Sequence, residues 1–357
     1  MARLGGPDTA MIPAKRPPAQ PARWQQLWRE AISDPRELLQ LLDLSHRADE
    51  LLAYADTGFA MRVPRGFAAR MRRGDAADPL LLQVLPQAAE LGEAPGFTRD
   101  AVGDLVARAG HGVLHKYEGR ALLIATGSCA VNCRYCFRRH FPYAEETAAA
   151  NGWRDAVARI AADASVAEVI LSGGDPLSLS TAKLCELTDA LAALPHVRRL
   201  RIHTRLPIVL PERVDSEFLE WLANPRFERV VVLHANHANE LDAAVAAACA
   251  GLRDAGATLL NQSVLLRGIN DRVDALKDLS EALFAAGVLP YYLHQLDRVQ
   301  GAAHFEVDDG RAIALVDELA ACLPGYLVPR LVREVAGAPA KMPVYATSPM
   351  EKDERIR

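Results

Sequence analysis

The sequence of 357 residues predicts an α/β fold, a partial (β/α)6 barrel with a helical N-terminal extension. Six short runs rich in β-branched and aliphatic residues each precede a polar or glycine-containing segment and then a stretch rich in Ala, Leu and Glu. After the first interval the runs begin about 30 residues apart, which is the size of one βα unit. The predicted parallel strands are 121–125, 168–171, 198–203, 229–233, 258–260 and 289–293.

The number of units leaves two architectures open. Six units are fewer than the eight that close a full barrel, so spacing alone permits either an open, partial barrel or a doubly wound sheet. The polar residues favour the barrel, because an unusual polar cluster directly follows nearly every predicted strand. Catalytic residues gathered from the C-terminal ends of many strands are typical of barrels.

The elements divide the chain into five segments in order. Residues 1–22 are rich in Pro, Ala and basic side chains and predict a disordered arm. Residues 23–110 predict a helical region, in which Ser33, Asp34 and Pro35 form a cap and first turn before an amphipathic run. The barrel is expected over 111–300, a C-terminal segment over 301–348, and a charged tail over 349–357.

Composition and charge exclude several classes of protein. Half of the residues are hydrophobic, so the chain can bury a sizeable core. The formal net charge of −4 gives no basic surface of the kind that nucleic-acid binding needs. Neither a secretory signal nor about 18 consecutive apolar residues is present, so we expect a cytoplasmic protein without membrane or nucleic-acid contacts.

The most informative motif is a cluster of three cysteines after the first predicted strand. Cys129, Cys133 and Cys136 have the spacing C-x3-C-x2-C and follow a Gly-Ser pair that favours a loop. Structural zinc takes four closed ligands, whereas a four-iron cluster held by three thiolates leaves one iron open. A zinc site completed by His140 and a redox dithiol are the alternatives.

The run CAVNCRYCFRRHFPY resembles the radical S-adenosylmethionine signature. The resemblance implies a 4Fe-4S cluster on the three cysteines, with S-adenosyl-L-methionine on the open iron. It places Tyr135 near the adenine, although ordinary packing beside the cluster would explain that ring as well. The segment Ser172, Gly173, Gly174 and Asp175 follows a strand and is similar to the family's second signature, which receives the amino group of S-adenosylmethionine. Alone it is a generic turn in which Asp175 can cap the next helix.

Eight blocks in order narrow the resemblance to the lysine 2,3-aminomutase family. The blocks are HKYEGR, CAVNCRYCFRRHFPYAE, SGGDPL, RLPIVLPERV, HANHANE, LLNQSVLLRGIND, PYYLHQLDRVQGAAHF and GYLVPRLVRE. The similarity spans about 62–344 and is greatest to the shorter branch that supplies (R)-β-lysine for modifying elongation factor P. It implies that L-α-lysine is converted to (R)-β-lysine by 2,3-amino migration.

The same resemblance implies a pyridoxal 5′-phosphate site. Lys341 would carry the cofactor covalently, and without this context it would be an ordinary surface lysine. Further residues would bind the phosphate or ring, pack beside it or line its side of the pocket: Arg120, Gln262, Tyr117, His234 and Asn236. His237 could be taken for a metal ligand. The alternative is that its side chain forms hydrogen bonds with backbone groups of its own loop.

Three residues match positions that hold the substrate. Arg138 corresponds to the arginine that receives the substrate carboxylate, for which a planar fork is well suited, although neutralising cluster charge is an alternative role. Asp297 and Glu334 correspond to the acids that hold the distal ammonium of lysine. Glu334 departs from the larger aminomutases, which have aspartate there and a glycine-rich run where this chain has GAPA.

The resemblance also implies partners: L-lysine, a one-electron donor of the flavodoxin or ferredoxin type, and a separate ligase acting on elongation factor P. It leaves a homo-oligomer open. One rival is a 2,3-aminomutase acting on another amino acid such as glutamate, which would have no use for the acid pair. A rival of another class is a non-catalytic metal-cluster binding module, which predicts a closed fourth ligand and no role for Lys341.

Overall fold

A ten-stranded sheet dominates the computed structural model, which describes residues 22–52, 58–224 and 226–345. Its strands lie side by side in chain order. They are β1 (Arg108–Gly110), β2 (Val113–Tyr117), β3 (Arg120–Thr126), β4 (Glu168–Gly173), β5 (Arg199–Thr204), β6 (Glu228–Leu233), β7 (Thr258–Val264), β8 (Leu289–His294), β9 (Arg330–Arg333) and β10 (Met342–Pro343). The expected tail, and the expected arm except residue 22, lie outside the described residues.

The six predicted strands are confirmed as β3 to β8, and each pairs in parallel with the next. One or two helices follow each strand, as the βα pattern predicts. They are α5 (Arg154–Ala161), α6 (Thr181–Ala192), α7 (Leu206–Val209), α8 (Ser216–Leu222), α9 (Ala243–Asp254), α10 (Val273–Ala285) and α11 (Asp309–Cys322). Side-chain caps begin several of them, for example Ser180 before α6 and Asp242 before α9.

Four strands were not predicted, and they extend the sheet at both ends. β1 and β2 form an antiparallel pair ahead of β3. β9 pairs in parallel with β8, and β10 returns antiparallel to β9. The sheet therefore continues past residue 300, where the expected boundary of the barrel had been placed.

The sheet is rolled into a partial barrel. Strands of a flat sheet lie about 4.8 Å apart, so seven steps would separate β2 from β9 by about 34 Å. Yet the Tyr117 hydroxyl at the end of β2 donates a 2.7 Å hydrogen bond to Glu334, which directly follows β9. Only strong curvature brings these ends together. No strand pairing in the described ranges joins β1 to β10, so the barrel is open and its two edges meet through side chains.

The segment before the sheet contains four short helices, α1 (Arg23–Arg29), α2 (Pro35–Leu41), α3 (Ala48–Leu51) and α4 (Arg65–Ala68). The predicted cap is confirmed, since the Asp34 carboxylate accepts a 2.9 Å bond from the backbone N–H of Arg36. Residues 69–107 hold turns and one 3-10 helix, Ala88–Leu91, instead of α-helix. Pro79, Pro86 and Pro95 interrupt this stretch, which explains the lack of longer helices.

Three buried apolar clusters support the barrel. The largest joins the N-terminal helices to the outer face of the sheet and to α5, α6, α8 and α9. A second lies between α10, α11 and strands β8 and β9, and a third lies beside the C-terminal end of β8. Among the described helices, none has both the length and the apolar character that crossing a membrane requires.

Candidate active site

A cavity of about 580 Å³ opens at the C-terminal ends of the parallel strands and extends into the barrel. Every residue that the sequence analysis singled out for a cofactor, the cluster or the substrate lines this cavity. The structure therefore brings together side chains from the first half of the sheet, such as Cys129, with Lys341 near the end of the described chain. Their individual roles stay predictions.

The three cysteines lie half-buried in the loop after β3. Burial raises the pKa of Cys136 to about 11 and that of Cys129 well above its usual range, with the neighbouring thiols adding to both shifts. In the described ranges no three His, Cys, Asp or Glu side chains are grouped tightly enough to hold one metal ion. A 4Fe-4S cluster instead takes each thiolate on a different iron atom, so it does not require the thiols to converge on one point. His140 places Nε2 3.1 Å from the carbonyl oxygen of Gln300.

The two glycines after β4 allow the cysteine loop to approach the sheet. The Gly174 N–H donates a 2.7 Å bond to the carbonyl of Thr126, and a Cβ at Gly174 would lie 2.5 Å from the carbonyl oxygen of Ser128. Gly173 has φ +119°, a conformation that L side chains rarely adopt. The Gly-Gly pair thus fixes the position of the loop that carries the cysteines.

Asp175 is confirmed as a helix cap and also ties two loops together. Its buried carboxylate accepts bonds from Leu177 N at 3.0 Å, Thr204 Oγ1 at 2.7 Å and the backbone N–H groups of Arg205 and Leu206. Burial raises the pKa of this carboxyl, although these donors oppose the shift. Asp175 therefore holds the loop after β5 against the loop after β4.

Tyr135 belongs to a buried hydrogen-bond network that was not predicted. Its hydroxyl accepts bonds from Arg205 Nη1 at 2.7 Å and Asn236 Nδ2 at 2.6 Å. Arg205 also donates to Glu240 Oε2 at 2.8 Å and to Gln83 Oε1 at 2.6 Å. The amide of Asn236 is used in this network, so Asn236 holds Tyr135 in place at the cavity wall.

Arg205 also reaches the cysteine loop, since its Nη1 lies 2.7 Å from the Sγ of Cys133. A guanidinium at this distance stabilises a thiolate, and hence a cluster carrying negative charge. Arg205 lies within RLPIVLPERV, and no role was predicted for it from the sequence. Its contacts with Cys133 and Gln83 span 72 and 122 positions of the chain, so no local sequence pattern indicates them.

A second polar group comprises His203 on β5, His234 directly after β6 and Gln262 on β7. Gln262 Nε2 is 2.9 Å from Nε2 of His234, and the His203 ring stands edge-on 6.0 Å from that of His234. Burial, with the cations Arg205 and Lys341, lowers the pKa of His234 to about 3, so the ring is neutral at physiological pH. His237 satisfies loop backbone as the alternative had it, because its Nδ1 accepts a bond from the N–H of Asn239.

Lys341 is paired with Glu334, and Tyr117 reaches the same carboxylate from the other edge of the open barrel. Lys341 Nζ lies 2.9 Å from Glu334 Oε2, and Tyr117 donates to Oε1 of the same carboxylate. Lys116 approaches Oε1 to 3.4 Å. Although burial opposes ionisation of Glu334, Lys341 and the Tyr117 hydroxyl hold the pKa of that carboxyl below its usual range. The guanidinium of Arg120 lies 4.7 Å from the centroid of the Tyr117 ring.

Asp297, the other acid of the predicted pair, also lines the cavity. Its pKa is shifted in the opposite direction from that of Glu334. Burial raises its pKa to about 7, opposed by Lys341 and reinforced by the negative charge of Glu334. No hydrogen bond to its side chain is present among the described residues. Two acids beside one cavity therefore differ in ionisation, and Asp297 is the one that titrates near neutrality.

Arg138 is buried and held in a fixed orientation. Its Nε donates to Asp104 Oδ2 at 2.6 Å and its Nη1 to the Ser172 hydroxyl at 3.0 Å. Asp104 also contacts Lys116 at 2.7 Å; although burial acts to raise the pKa of the Asp104 carboxyl, Arg138 and Lys116 hold it below the usual range. Asp104 was not predicted; it lies in a loop outside the quoted blocks, and only the fold brings it to Arg138.

Comparisons with known proteins find several L-lysine 2,3-aminomutases that are similar in sequence to this chain. No protein-family model matches the chain. The chain is 49% identical over 323 residues to L-lysine 2,3-aminomutase of Escherichia coli (90% of this chain, 94% of that protein). It is 47% identical to the L-lysine 2,3-aminomutase of Haemophilus influenzae (89% and 94%) and 33% identical to that of Clostridium subterminale (90% and 77%).

Among solved structures, a radical SAM methyltransferase from Sphaerobacter thermophilus is similar with a TM-score of 0.43 and 17% identity, over 62% of this chain and 68% of that chain. The sequence relatives carry the assignment, because the similarity covers nearly the whole of both chains. These relatives show that the chain belongs to the L-lysine 2,3-aminomutase family.

Proposed function

We propose that the enzyme converts L-lysine to β-lysine by moving the amino group from C2 to C3. The observation that carries the proposal is a single cavity that gathers three cysteines, a lysine, a buried arginine and two acids. Relatives at 47–49% identity are named for this activity. By the sequence resemblance, we propose the (R) isomer as the product.

The charges in the cavity suit lysine as the substrate. Arg138, oriented by Asp104 and Ser172, offers a guanidinium to the α-carboxylate. Asp297 and Glu334 offer negative charge to the distal ammonium. A second carboxylate, as in glutamate, would meet like charge at these acids and lose affinity, which disfavours the glutamate alternative.

The cysteine loop fits a 4Fe-4S cluster with S-adenosyl-L-methionine. Three thiols border one cavity, and Arg205 contacts the Sγ of Cys133, where it would balance cluster charge. Tyr135 and the segment Ser172 to Asp175 border the same end of the cavity and would hold S-adenosylmethionine.

The deeper part of the cavity fits pyridoxal 5′-phosphate. Lys341 is half-buried, and the Nε of Arg120 is a buried donor without a hydrogen-bond partner in the part of the chain that the structure describes. An anionic group there would satisfy it. Tyr117, Gln262 and His234 would border the ring.

When bound, S-adenosylmethionine on the cluster would supply radical chemistry, and pyridoxal phosphate would supply a conjugated ring system beside the substrate. The chain's own residues orient the substrate, and one of them accepts a proton. Glu334, 2.9 Å from Lys341 Nζ, can accept the proton that Lys341 must release before its amine reacts with an aldehyde. Apolar walls that include Leu114, Leu122 and Val131 exclude water.

The test is an anaerobic assay of the full-length protein with a reconstituted cluster. S-adenosylmethionine, pyridoxal phosphate, a reductant and L-lysine are added, and β-lysine is measured by mass spectrometry with chiral derivatisation. Lys341→Ala should abolish product. Lys183→Ala is the matched control, because Lys183 lies on α6, pairs with Glu186 at the surface and does not line the cavity, and it should leave product formation unchanged.

Two outcomes would count against parts of the proposal. Formation of 5′-deoxyadenosine without β-lysine would retain the radical chemistry and refute lysine as the substrate. Absence of both, from a cluster shown to be loaded and reducible, would refute the mechanism and favour a binding module.

The wider setting is also proposed from the sequence resemblance. We infer a cytoplasmic enzyme that receives one electron at a time from a flavodoxin or ferredoxin. Its product would be used by a ligase that modifies elongation factor P. A strain lacking this gene should accumulate elongation factor P without β-lysine, detectable by intact-protein mass spectrometry, and added β-lysine should restore the modification.

A further inference from the structure

A continuous series of ion pairs crosses the cavity from Arg138 to Lys341. It alternates in sign and passes through the carboxylate of Asp104, the ammonium of Lys116 and the carboxylate of Glu334, with nitrogen–oxygen distances of 2.6, 2.7, 3.4 and 2.9 Å. All five side chains line the cavity, and none is more than 23% exposed. The two groups proposed to hold opposite ends of lysine are therefore joined through the protein.

Asp104 holds one cation with each of its carboxylate oxygens. Its Oδ2 accepts a bond from Arg138 Nε at 2.6 Å, and its Oδ1 lies 2.7 Å from Lys116 Nζ. The side chain is buried, and a displaced cation would leave an uncompensated charge inside the protein, which is strongly unfavourable. Asp104 therefore fixes the position of Lys116 relative to Arg138.

Lys116 carries the connection from Asp104 to Glu334. Its ammonium donates a 2.8 Å bond to the carbonyl oxygen of Val102 and lies 3.4 Å from Oε1 of Glu334. An ammonium group has three donors, and three oxygens of the protein surround this one. Lys116 is therefore held by the protein, and it acts on the site by positioning Glu334 rather than by binding a ligand itself.

An irregularity in β2 lets two neighbouring residues reach the same carboxylate. Successive side chains of a strand point to opposite faces, yet Lys116 and Tyr117 both lie within 3.4 Å of Oε1 of Glu334. The pairing of β2 with β3 shifts register between Leu114 and Tyr117, and such a shift re-aims side chains. The distorted strand thus places a cation and a hydroxyl against one oxygen of Glu334.

We propose that Asp104 and Lys116 are positioning residues that set the distance between Arg138 and Glu334 and thereby select the length of the substrate. The inference rests on the proposed function, in which these two groups receive the carboxylate and the distal ammonium. A ligand that contacts both must match their separation. L-Ornithine has the same charged groups as L-lysine with one methylene fewer, and a missing methylene typically costs about tenfold or more in selectivity.

The test compares two ligands that carry the same charges at different separations. Isothermal titration of the full-length, cofactor-loaded protein under anaerobic conditions gives its affinity for L-lysine and for L-ornithine. A change in local charge shifts both affinities together, whereas a loss of the fixed distance alters their ratio. The ratio therefore reports on positioning, and a merely structural or electrostatic role would not move it.

Two variants interrupt the series at different points. Asp104→Asn keeps the size of the side chain and removes the charge that both cations share. Lys116→Met leaves the contact of Asp104 with Arg138 in place and breaks only the connection to Glu334. Asp317→Asn is the control, because Asp317 is exposed on α11 and does not line the cavity. Circular dichroism and iron analysis check that each protein is folded and carries its cluster.

We expect the parent to bind L-lysine about tenfold or more tightly than L-ornithine, and the control to match it. In both cavity variants this ratio should fall by about threefold or more, because the lost ion pair no longer fixes the distance. An unchanged ratio in a folded variant, or a parent that does not distinguish the two ligands, would overturn the positioning role alone. A parent that binds neither ligand would overturn the proposed function together with it.

Discussion

Asp297 should make lysine binding depend on pH near neutrality. Burial raises the pKa of its carboxyl to about 7, and only the ionised form attracts the distal ammonium of lysine. With that pKa, about one tenth of the carboxyl is ionised at pH 6 and about nine tenths at pH 8. Because affinity follows the ionised fraction, we expect binding of L-lysine to tighten roughly tenfold from pH 6 to pH 8.

Other groups in the cavity should contribute little to this change. Burial lowers the pKa of His203, His234 and His294, so these rings are already neutral across the range. The pKa of Glu334 lies below its usual range, so this acid stays ionised. The change of lysine affinity with pH therefore reports on the ionisation of the Asp297 carboxyl.

The assay is isothermal titration of L-lysine into the cofactor-loaded protein, under anaerobic conditions, at several pH values. Asp297→Asn keeps the size of the side chain and should give a flat, weak profile, about tenfold or more below the parent at pH 8. Norleucine, which has a methyl group in place of the aminomethyl end of lysine, is the matched ligand control and should lose the pH dependence in the parent. A parent profile that persists in Asp297→Asn, or is shared by norleucine, would refute the reasoning.

Three further predictions concern the cluster loop, the buried network and the carboxylate site. Gly174→Ala should lower the iron content after reconstitution, because its Cβ would meet the Ser128 carbonyl oxygen at 2.5 Å; iron analysis with circular dichroism as a folding check measures this. Arg205→Gln should destabilise the protein by about 3–5 kcal/mol, since it leaves the buried carboxylate of Glu240 without its cation, and a melting temperature lowered by less than about 3 °C would contradict it. Arg138→Gln should weaken L-lysine binding while leaving the binding of lysinamide, which lacks the carboxylate, nearly unchanged; equal losses for both ligands would argue against carboxylate recognition.

The strands that local patterns predict are those whose residues are buried by the fold. β4 reads EVILSG and is buried along its length, so its apolar run is visible in the sequence. β9 reads RLVR, with an exposed arginine at its start, and it is too short and too charged to be recognised alone. It forms because β8 offers a parallel edge, which is information held elsewhere in the chain.

The residues of the site divide in the same way, into those that a local motif predicts and those that only the fold brings together. The placement of the cysteines and Lys341 beside one cavity could be predicted, the cysteines from their own motif and Lys341 from the block that ends seven residues before it. Asp104, which orients Arg138, and Gln83, which meets Arg205 across 122 positions, lie in irregular segments without such a motif. Their contribution depends on which loops the barrel brings together, so no local property of the sequence could reveal it.

The side-chain closure of the barrel also bears on the order in which the enzyme becomes complete. A chain made from its N-terminus exposes the three cysteines long before Glu334 and Lys341 exist, because about 200 residues separate Cys136 from Glu334. A nascent or truncated chain that ends before β9 therefore carries the three cysteines and Arg138 but neither Glu334 nor Lys341. The two sides of the cavity are united only when β9 docks on β8 and β10 pairs with β9, so the last described segment of the chain decides when the site is whole.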